Sequence, residues 1–150
     1  MNNSKNLIAC CLLLSSACGF AGAKETTPPP AVLSAFAERF PHAQGVKWEE
    51  EEGGVLEAEF VSDGLKQSAN FMLDGTWKET EQRITEADLT DAIRATLETR
   101  HPGATVKHAE RVSTPTADLY EVELKTAQGK VEVMITAEGA VVEDAAKDKD

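Results

Sequence analysis

Residues 46–77 read VKWEEEEGGVLEAEFVSDGLKQSANFMLDGTW, and this stretch decides the fold. Apolar and polar residues alternate in its short runs, which is typical of strands with one buried face. Gly53-Gly54, Asp63-Gly64 and Asp74-Gly75 separate the runs, and such dipeptides favour tight turns. The stretch therefore predicts a four-stranded antiparallel meander whose fourth strand opens at Trp77.

Alternation assigns the side chains of this meander to two faces, because successive residues of a strand point to opposite sides. The predicted inward set is apolar: Val46, Trp48, Leu56, Ala58, Phe60, Ala69, Phe71 and Leu73. The predicted outward set is Lys47, Glu49, Glu57, Glu59, Asn70 and Met72. A sheet of this kind needs a cover on its apolar face.

A short helix directly before the meander supplies that cover. Residues 28–30 are three prolines, and proline is tolerated at a first helical position. Val32, Phe36 and Phe40 then recur at helical spacing, and Pro41 ends the helix. Because so short a helix is marginal alone, we expect it to lie on the apolar sheet face.

The same order of signals recurs in the second half of the chain. The second helix is expected to begin either at a capping box, Thr85 to Asp88, or near Thr90. Its apolar stripe is Leu89, Ile93 and Leu97. The strands that follow point these residues inward: Tyr120, Val122, Leu124, Val131, Val133 and Ile135. Aligning the two halves places His108 at the position of Trp48, and Val141 at that of Trp77.

The second half also has a predicted outward set: Lys107, Arg111, Glu121, Glu123, Lys125, Glu132 and Met134. The predicted fold class is α+β, with two tandem units that each pack one helix on a four-stranded antiparallel meander sheet. The units are predicted at 30–82 and 83–144. A signal peptide (1–23), a linker (24–29) and a charged tail (145–150) complete the chain.

The first residues resemble an export signal. Lys5 precedes an apolar run over 7–14, and Ala21-Gly22-Ala23 is a small-residue cleavage site. Cleavage is expected between Ala23 and Lys24, which predicts a periplasmic or secreted protein. The apolar run is shorter than the about 20 residues that a membrane-spanning helix requires, so no membrane insertion of the mature chain is expected.

All three cysteines, Cys10, Cys11 and Cys18, precede the expected cleavage site. The mature chain would then have no thiol for a disulfide, a metal site or catalysis. Residues 15–18, Ser-Ser-Ala-Cys, resemble a bacterial lipobox, so a lipid anchor on Cys18 is the alternative location.

Charge restricts the class of partner. The net charge is −11, and loss of the signal, whose one charged residue is Lys5, would leave −12. Nucleic-acid binding depends on Lys and Arg contacts to phosphate, and anionic membranes also attract basic segments, so neither is an expected partner. An acidic surface suits a basic partner or a cation.

The residues of both halves resemble the PepSY-like group of exported bacterial proteins, also described as beta-lactamase-inhibitor-like. The shared pattern is a helix, Phe-Pro, a strand ending in Trp-Glu, the strand 56–60 (Leu-Glu-Ala-Glu-Phe) and the turn 73–77 (Leu-Asp-Gly-Thr-Trp). A second copy contains 120–124, Tyr-Glu-Val-Glu-Leu. The resemblance implies tandem units of one helix on four strands, but it implies no defined activity.

Catalytic motifs are missing from the sequence. His42, His101 and His108 form no His-x-x-x-His pair, and no serine lies in a Gly-x-Ser-x-Gly elbow. The glycines occupy turns rather than a phosphate-binding loop. We therefore expect a protein that is not an enzyme and that has no cofactor and no metal site.

These observations predict an exported binding protein that recognises a protein or peptide of the cell envelope through its exposed sheet faces. The residues expected to contact the partner are outward-facing: Glu49, Glu57, Glu59, Met72, Glu121, Glu123 and Met134. The alternative is an acidic envelope protein that binds a cation weakly, since residues 49–52 are four glutamates and hard cations prefer carboxylate oxygens.

Overall fold

The computed structural model describes residues 26–51 and 53–146. Two helices and eight strands follow one another in two similar series. The first series is α1 (Pro30–Arg39), β1 (Gln44–Glu51), β2 (Val55–Ser62), β3 (Leu65–Met72) and β4 (Trp77–Arg83). A 3₁₀ turn, Glu86–Asp88, leads into the second series of α2 (Asp91–Arg100), β5 (Thr105–Ser113), β6 (Asp118–Lys125), β7 (Lys130–Ile135) and β8 (Val141–Ala146).

The eight strands form one antiparallel sheet in the order β1 to β8. The sequence predicted two four-stranded sheets, but β4 and β5 pair with each other, with Glu81 opposite Val112 and Arg83 opposite Glu110. Each four-stranded meander alone would leave two edges of unpaired backbone groups, and pairing β4 with β5 satisfies one edge of each meander. Side-chain alternation carries no information about which edges meet.

Helix α1 packs on one face of β1–β3, as predicted. Val32 and Phe36 are buried, and the Phe36 ring lies 5.2 Å from the Trp48 ring and 5.1 Å from the Phe60 ring, centroid to centroid. Both ring pairs are edge-to-face, the arrangement that the aromatic quadrupole favours. The first core therefore consists mainly of interlocked aromatic rings.

Helix α2 covers the same face of the second series through aliphatic side chains. Ile93 and Leu97 are buried in it, four residues apart as Val32 and Phe36 are in α1. They join Leu89 and these inward residues of the strands: Ala109, Val122, Leu124, Val133 and Ile135. The predicted inward rows of β6 and β7 are confirmed, including Tyr120, which packs at the edge of this cluster.

The turns before β4 and β8 approach the helices closely. A Cβ on Gly75 would lie 2.8 Å from the carbonyl oxygen of Ala31, and a Cβ on Gly139 would lie 2.8 Å from that of Ala92. Both glycines have positive φ, 89° and 83°, which other residues rarely adopt. Each turn therefore requires glycine for its conformation and for its contact with the helix.

Of the two predicted starts of the second helix, the one near Thr90 is confirmed, whereas the capping box from Thr85 to Asp88 closes the 3₁₀ turn before it. The Asp88 carboxylate accepts hydrogen bonds from the Thr85 amide (2.8 Å) and hydroxyl (2.7 Å), which closes the 3₁₀ turn. Helix α2 begins after Thr90, whose hydroxyl oxygen accepts from the Ile93 amide at 3.1 Å. This is an ordinary N-cap, in which a side chain satisfies a free amide of the first turn.

Two inferences from alternation are wrong. A register shift between Val106 and His108 inserts a residue into β5, so Arg111 pairs with Tyr120 and shares the helix-covered side instead of pointing outward. The same shift makes Ala109, opposite Val122, the counterpart of Trp48 opposite Ala58. His108 therefore does not occupy the Trp48 position.

The predicted inward orientation of Leu73 is also wrong, because β3 ends at Met72 and Leu73 lies beyond the strand. Leu73 lies in the following turn with 51 % of its surface exposed.

An ion pair and a histidine contact connect β8 to the C-terminal end of α2. Asp144 on β8 accepts a hydrogen bond from Arg100 Nε at 2.9 Å and lies 3.1 Å from His101 Nε2. Burial acts to raise the pKa of Asp144, but these two partners outweigh it and hold the pKa below its usual range. Strand β8 includes residues 145 and 146 of the predicted tail. The predicted signal and its cleavage site, Ala23 and Lys24, lie outside the described residues.

Candidate functional site on the helix-free face

The sheet face opposite α1 and α2 is called here the helix-free face. Strand register and alternation place glutamates along it on every strand except β3. In the first series they are Glu49, Glu51, Glu57, Glu59, Glu79 and Glu81. In the second series they are Glu110, Glu121, Glu123, Glu132 and Glu143. A single continuous acidic surface results from the pairing of β4 with β5.

The predicted contact residues all lie on the helix-free face: Glu49, Glu57, Glu59, Met72, Glu121, Glu123 and Met134. They differ in accessibility. Glu59 is exposed, five others are half-buried, and Met134 keeps only 4 % of its surface exposed. Met134 packs with Val112 and Leu119 in a small apolar cluster, so it supports the face instead of offering contact area.

Four glutamates on or beside this surface are buried, with 4–7 % of their surface exposed: Glu79, Glu81, Glu110 and Glu132. Sequence reasoning placed Glu132 on the outward face and missed the other three. Residues 78–82 are all polar, so no alternation marks the buried face of β4. The bulge in β5 concealed Glu110. Burial of so many carboxyl groups is expensive unless they are neutral or paired.

A cavity of about 340 Å³ opens on this face over β2–β4. Glu57 and Glu59 of β2, Ser68 of β3 and Glu81 of β4 contribute to its lining, with Glu110 beyond them. Glu59, Ser68 and Glu81 lie in one row, since Ser68 pairs with both glutamates. The short serine between two long side chains leaves the space that forms the cavity.

Glu81 is the most perturbed carboxyl group of the cavity. Burial raises its pKa to about 9, and the negative charges of Glu110, Glu121, Glu79 and Glu57 act in the same direction. The Ser68 hydroxyl donates a hydrogen bond to Glu81 Oε2 at 3.3 Å. Glu81 is therefore protonated at neutral pH, because its neutral form avoids both desolvation and repulsion.

Glu57 titrates closer to neutrality. Burial raises its pKa to about 7, and Glu51, Glu59 and Glu49 contribute further, while the Ser68 hydroxyl acts in the opposite direction. A carboxyl group with this pKa changes charge in response to a small change in its surroundings.

Two polar contacts continue the network on either side of the cavity. Asn70 Nδ2 donates to Glu79 Oε1 at 3.1 Å, while Asn70 Oδ1 is buried and accepts no hydrogen bond from any described residue. On β5, His108 Nε2 lies 2.7 Å from Glu110 Oε1. Lys47, Lys66 and Arg83 also line the cavity, so basic donors lie beside the carboxyl acceptors on this face.

Neither a metal centre nor a membrane span is found in the described ranges. Within 26–51 and 53–146, no three His, Cys, Asp or Glu side chains are arranged to hold a metal ion. No helix in these ranges is long and apolar enough to cross a membrane.

The model of the protein family described as "Putative beta-lactamase-inhibitor-like, PepSY-like" matches residues 54–143, which is more than half of the chain. The chain belongs to this family. The match includes β2–β7, α2 and the first three residues of β8, and therefore most of the helix-free face. The PepSY-like resemblance read from the sequence is confirmed.

Solved structures from Bacteroides share this PepSY-like fold at low identity. One from Bacteroides ovatus, a DUF2874 family protein, has a TM-score of 0.73 at 22% identity and covers 80% of this chain and 88% of its own. A protein from Bacteroides eggerthii, described as "putative periplasmic proteins", has a TM-score of 0.73 at 19% identity, covering 80% and 89%.

A BLIP-like protein from Bacteroides fragilis has a TM-score of 0.71 at 20% identity and covers 83% of this chain and 92% of its own. The sequence matches no curated protein. At these identities the solved structures support the fold of this chain and nothing finer.

Proposed function

We propose that this PepSY-like protein is an exported, non-enzymatic binding protein whose helix-free face recognises a protein or peptide of the cell envelope. The observation that carries the proposal is the sheet face opposite both helices, which carries glutamates on seven of its eight strands and which no described helix covers. Antiparallel sheets commonly leave one face to solvent. Burying carboxyl groups on such a face costs free energy, and exposure to solvent alone does not explain why they are buried.

The chemistry of the face favours a basic partner. Its glutamates outnumber the lysines and arginines on the same strands, and the whole chain carries −11. Complementary charge on two proteins raises the rate at which they associate and the specificity of binding more than it raises the affinity. Half-buried Met72 contributes an apolar contact of the adaptable kind that binding surfaces use.

Export rests on the signal pattern of residues 1–23, and the description of the Bacteroides eggerthii protein agrees with a periplasmic location. Release by cleavage between Ala23 and Lys24 is the proposed route, with a lipid anchor on Cys18 as the alternative. Mass spectrometry of the mature N-terminus distinguishes the two, since acylation adds a defined mass to Cys18.

The two series of elements are proposed to be tandem copies of one unit, 30–82 and 83–144. Both helices have ten residues, both bury side chains four residues apart, and both accept a close approach from the glycine turn before the fourth strand. Joining two copies through β4 and β5 doubles the width of the binding face.

The alternative, weak binding of an inorganic cation, is not proposed further. Among the described residues, no three His, Cys, Asp or Glu side chains are arranged to hold a metal ion. A hard cation such as calcium requires several oxygen ligands around one point.

Charge reversal at exposed positions tests the proposed function. Glu59→Lys and Glu143→Lys alter the helix-free face, and Glu38→Lys and Glu98→Lys make the same change on the exposed sides of α1 and α2. Tagged variants are crosslinked in the native envelope and their partners are quantified by mass spectrometry. Partners should be lost with the face variants and retained with the helix variants.

Equal recovery of partners by all four variants would contradict the proposal. Circular dichroism and unfolding curves for each variant ensure that a loss of partners is not a loss of fold. Glu57 and Glu121 are less suitable for reversal, because both are half-buried among other carboxyl groups.

A further inference from the structure

The outer edge of β1 contacts the segment that leads into the first helix. Strand β1 is the first strand of the sheet and has β2 on one side only. The Thr26 amide donates a hydrogen bond to the Trp48 carbonyl oxygen at 3.1 Å, and Thr26 is the first residue that the structure describes. The chain before α1 therefore reaches the sheet at this edge, where an edge strand has backbone groups to pair.

The second series of elements contains the same contact. The Ile84 amide donates a hydrogen bond to the Ala109 carbonyl oxygen at 3.0 Å. Ala109 is the counterpart of Trp48, because each occupies the same position in the ladder with the strand that follows it. Thr26 is therefore the counterpart of Ile84, since both residues precede a helix and bond to the first strand after that helix.

The residues before Ile84 show what this contact continues. Strand β4 ends directly before Ile84, and its last two residues, Gln82 and Arg83, pair with Arg111 and Glu110 of β5. The hydrogen bond of the Ile84 amide is the next step of this antiparallel ladder. The equivalence of the two series therefore predicts a ladder of the same register on the outer edge of β1.

We propose that Lys24 and Glu25 extend the sheet as a short strand on the outer edge of β1. These two residues directly precede Thr26 and the range that the structure describes. Hydrogen-bonded pairs recur at every second residue of an antiparallel ladder, so the pair after the Thr26 contact is Lys24 with Glu50. Glu25 then lies opposite Glu49 as a non-hydrogen-bonded pair.

Side-chain charge acts in opposite directions at the two new positions. Lys24 opposite Glu50 is a pair of opposite charges, which stabilises strand pairing, whereas Glu25 opposite Glu49 is a pair of like charges, which weakens it. The second series has an arginine opposite a glutamate at the latter step. The register therefore predicts that a positive charge at position 25 strengthens the pairing and that a negative charge at position 24 weakens it.

Processing of the export signal acts on the same position. Cleavage between Ala23 and Lys24 would turn the backbone nitrogen of Lys24 into an ammonium group, which donates to the Glu50 carbonyl oxygen more strongly than an amide does. A lipid anchor on Cys18 would leave the pairing intact and direct the tether away from the edge of β1. In either form the chain covers this edge itself, which prevents pairing with a strand of another protein.

Paired cysteines test the register in the exported protein. All three native cysteines precede residue 24, so the introduced thiols meet no other thiol in the processed chain. The Cα atoms of a non-hydrogen-bonded pair are about 4.5 Å apart, a distance that a disulfide spans. Glu25→Cys with Glu49→Cys should therefore form an intramolecular disulfide. Glu25→Cys with Glu143→Cys places the second thiol on β8, at the opposite edge of the sheet, and should form none.

Amide hydrogen exchange, followed by NMR on the exported protein, measures the strength of the pairing. The Glu50 amide donates to the Lys24 carbonyl oxygen in this register, so it should be protected from exchange in the wild type. Glu25→Arg should slow its exchange about fivefold, and Lys24→Glu should accelerate it about fivefold, as one cross-strand charge pair is expected to do. Glu143→Gln changes a charge on β8 and should leave this rate unchanged.

Several results would overturn the proposal. One is the absence of a disulfide between positions 25 and 49, or its formation to the same extent between positions 25 and 143. Another is a Glu50 amide that exchanges in the wild type as fast as an unpaired residue, a measurement that does not depend on the folding of any variant. Disulfide-linked dimers in place of the intramolecular bond would assign the edge of β1 to a second copy of the chain and would also contradict the proposal.

Discussion

Glu81→Gln should stabilise the protein, and the gain should grow with pH. An acid whose pKa rises from 4.5 in the unfolded chain to about 9 in the fold binds its proton more tightly when folded. Its contribution to stability is complete below the unfolded pKa and is lost as pH rises towards the folded pKa. Glutamine remains neutral throughout and avoids this loss.

The magnitude follows from linkage. Each pH unit between the two pKa values removes about 1.4 kcal/mol of folding free energy, so the wild type has lost about 3 kcal/mol at pH 7. Glu81→Gln should therefore be about 3 kcal/mol more stable near neutral pH and nearly equal to wild type at about pH 4.5. Glutamine also preserves an acceptor for the Ser68 hydroxyl.

Urea unfolding followed by tryptophan fluorescence, repeated at several pH values, measures this difference. Glu143→Gln is the matched control, because Glu143 is exposed on the same face, and its difference from wild type should be small and flat with pH. A Glu81→Gln variant that is less stable than wild type at every pH would refute the reasoning, since Glu81 would then be ionised and paired in the fold.

Three further predictions concern the scaffold. Gly139→Ala should destabilise by about 2–4 kcal/mol, because its Cβ would meet an α2 carbonyl oxygen at 2.8 Å, whereas Gly103→Ala, with open space around it, should cost only about 1 kcal/mol in urea titration. Asp144→Asn should lower stability by about 1 kcal/mol near neutral pH and lose this effect in acid. The depressed pKa means that the wild-type contribution is present above the ordinary value and is lost as pH falls through the folded value, which acid titration of both proteins can follow. Arg39→Gln should cost about 0.5–1 kcal/mol and alter Trp77 fluorescence, because the guanidinium lies 3.3 Å from the centre of that ring; no fluorescence change would argue against the contact.

Much of the fold could be predicted from the sequence because alternation and turn residues act locally. The inward rows of β2, β6 and β7 follow from period two, and both helices follow from apolar spacing. Pairing between β4 and β5 could not be predicted, because alternation within a strand does not indicate which edge strands of the two meanders pair.

The candidate site was harder to predict than the fold. Alternation placed Glu57 and Glu59 on the correct face, but the all-polar strand β4 gave no sign that Glu79 and Glu81 are buried. The bulge in β5 reversed the phase of its side chains and concealed Glu110. Burial of these carboxyl groups results from tertiary packing, which the local pattern does not record.

The central claim is that the helix-free face is the binding surface, and position-specific photocrosslinking tests it most directly. A photoreactive amino acid is introduced at Glu59 on that face or at Glu98 on the exposed side of α2, and the cells are irradiated with the protein in place. The account predicts a crosslinked partner from position 59 and none from position 98. Crosslinks from position 98 alone, or equally from both positions, would contradict it.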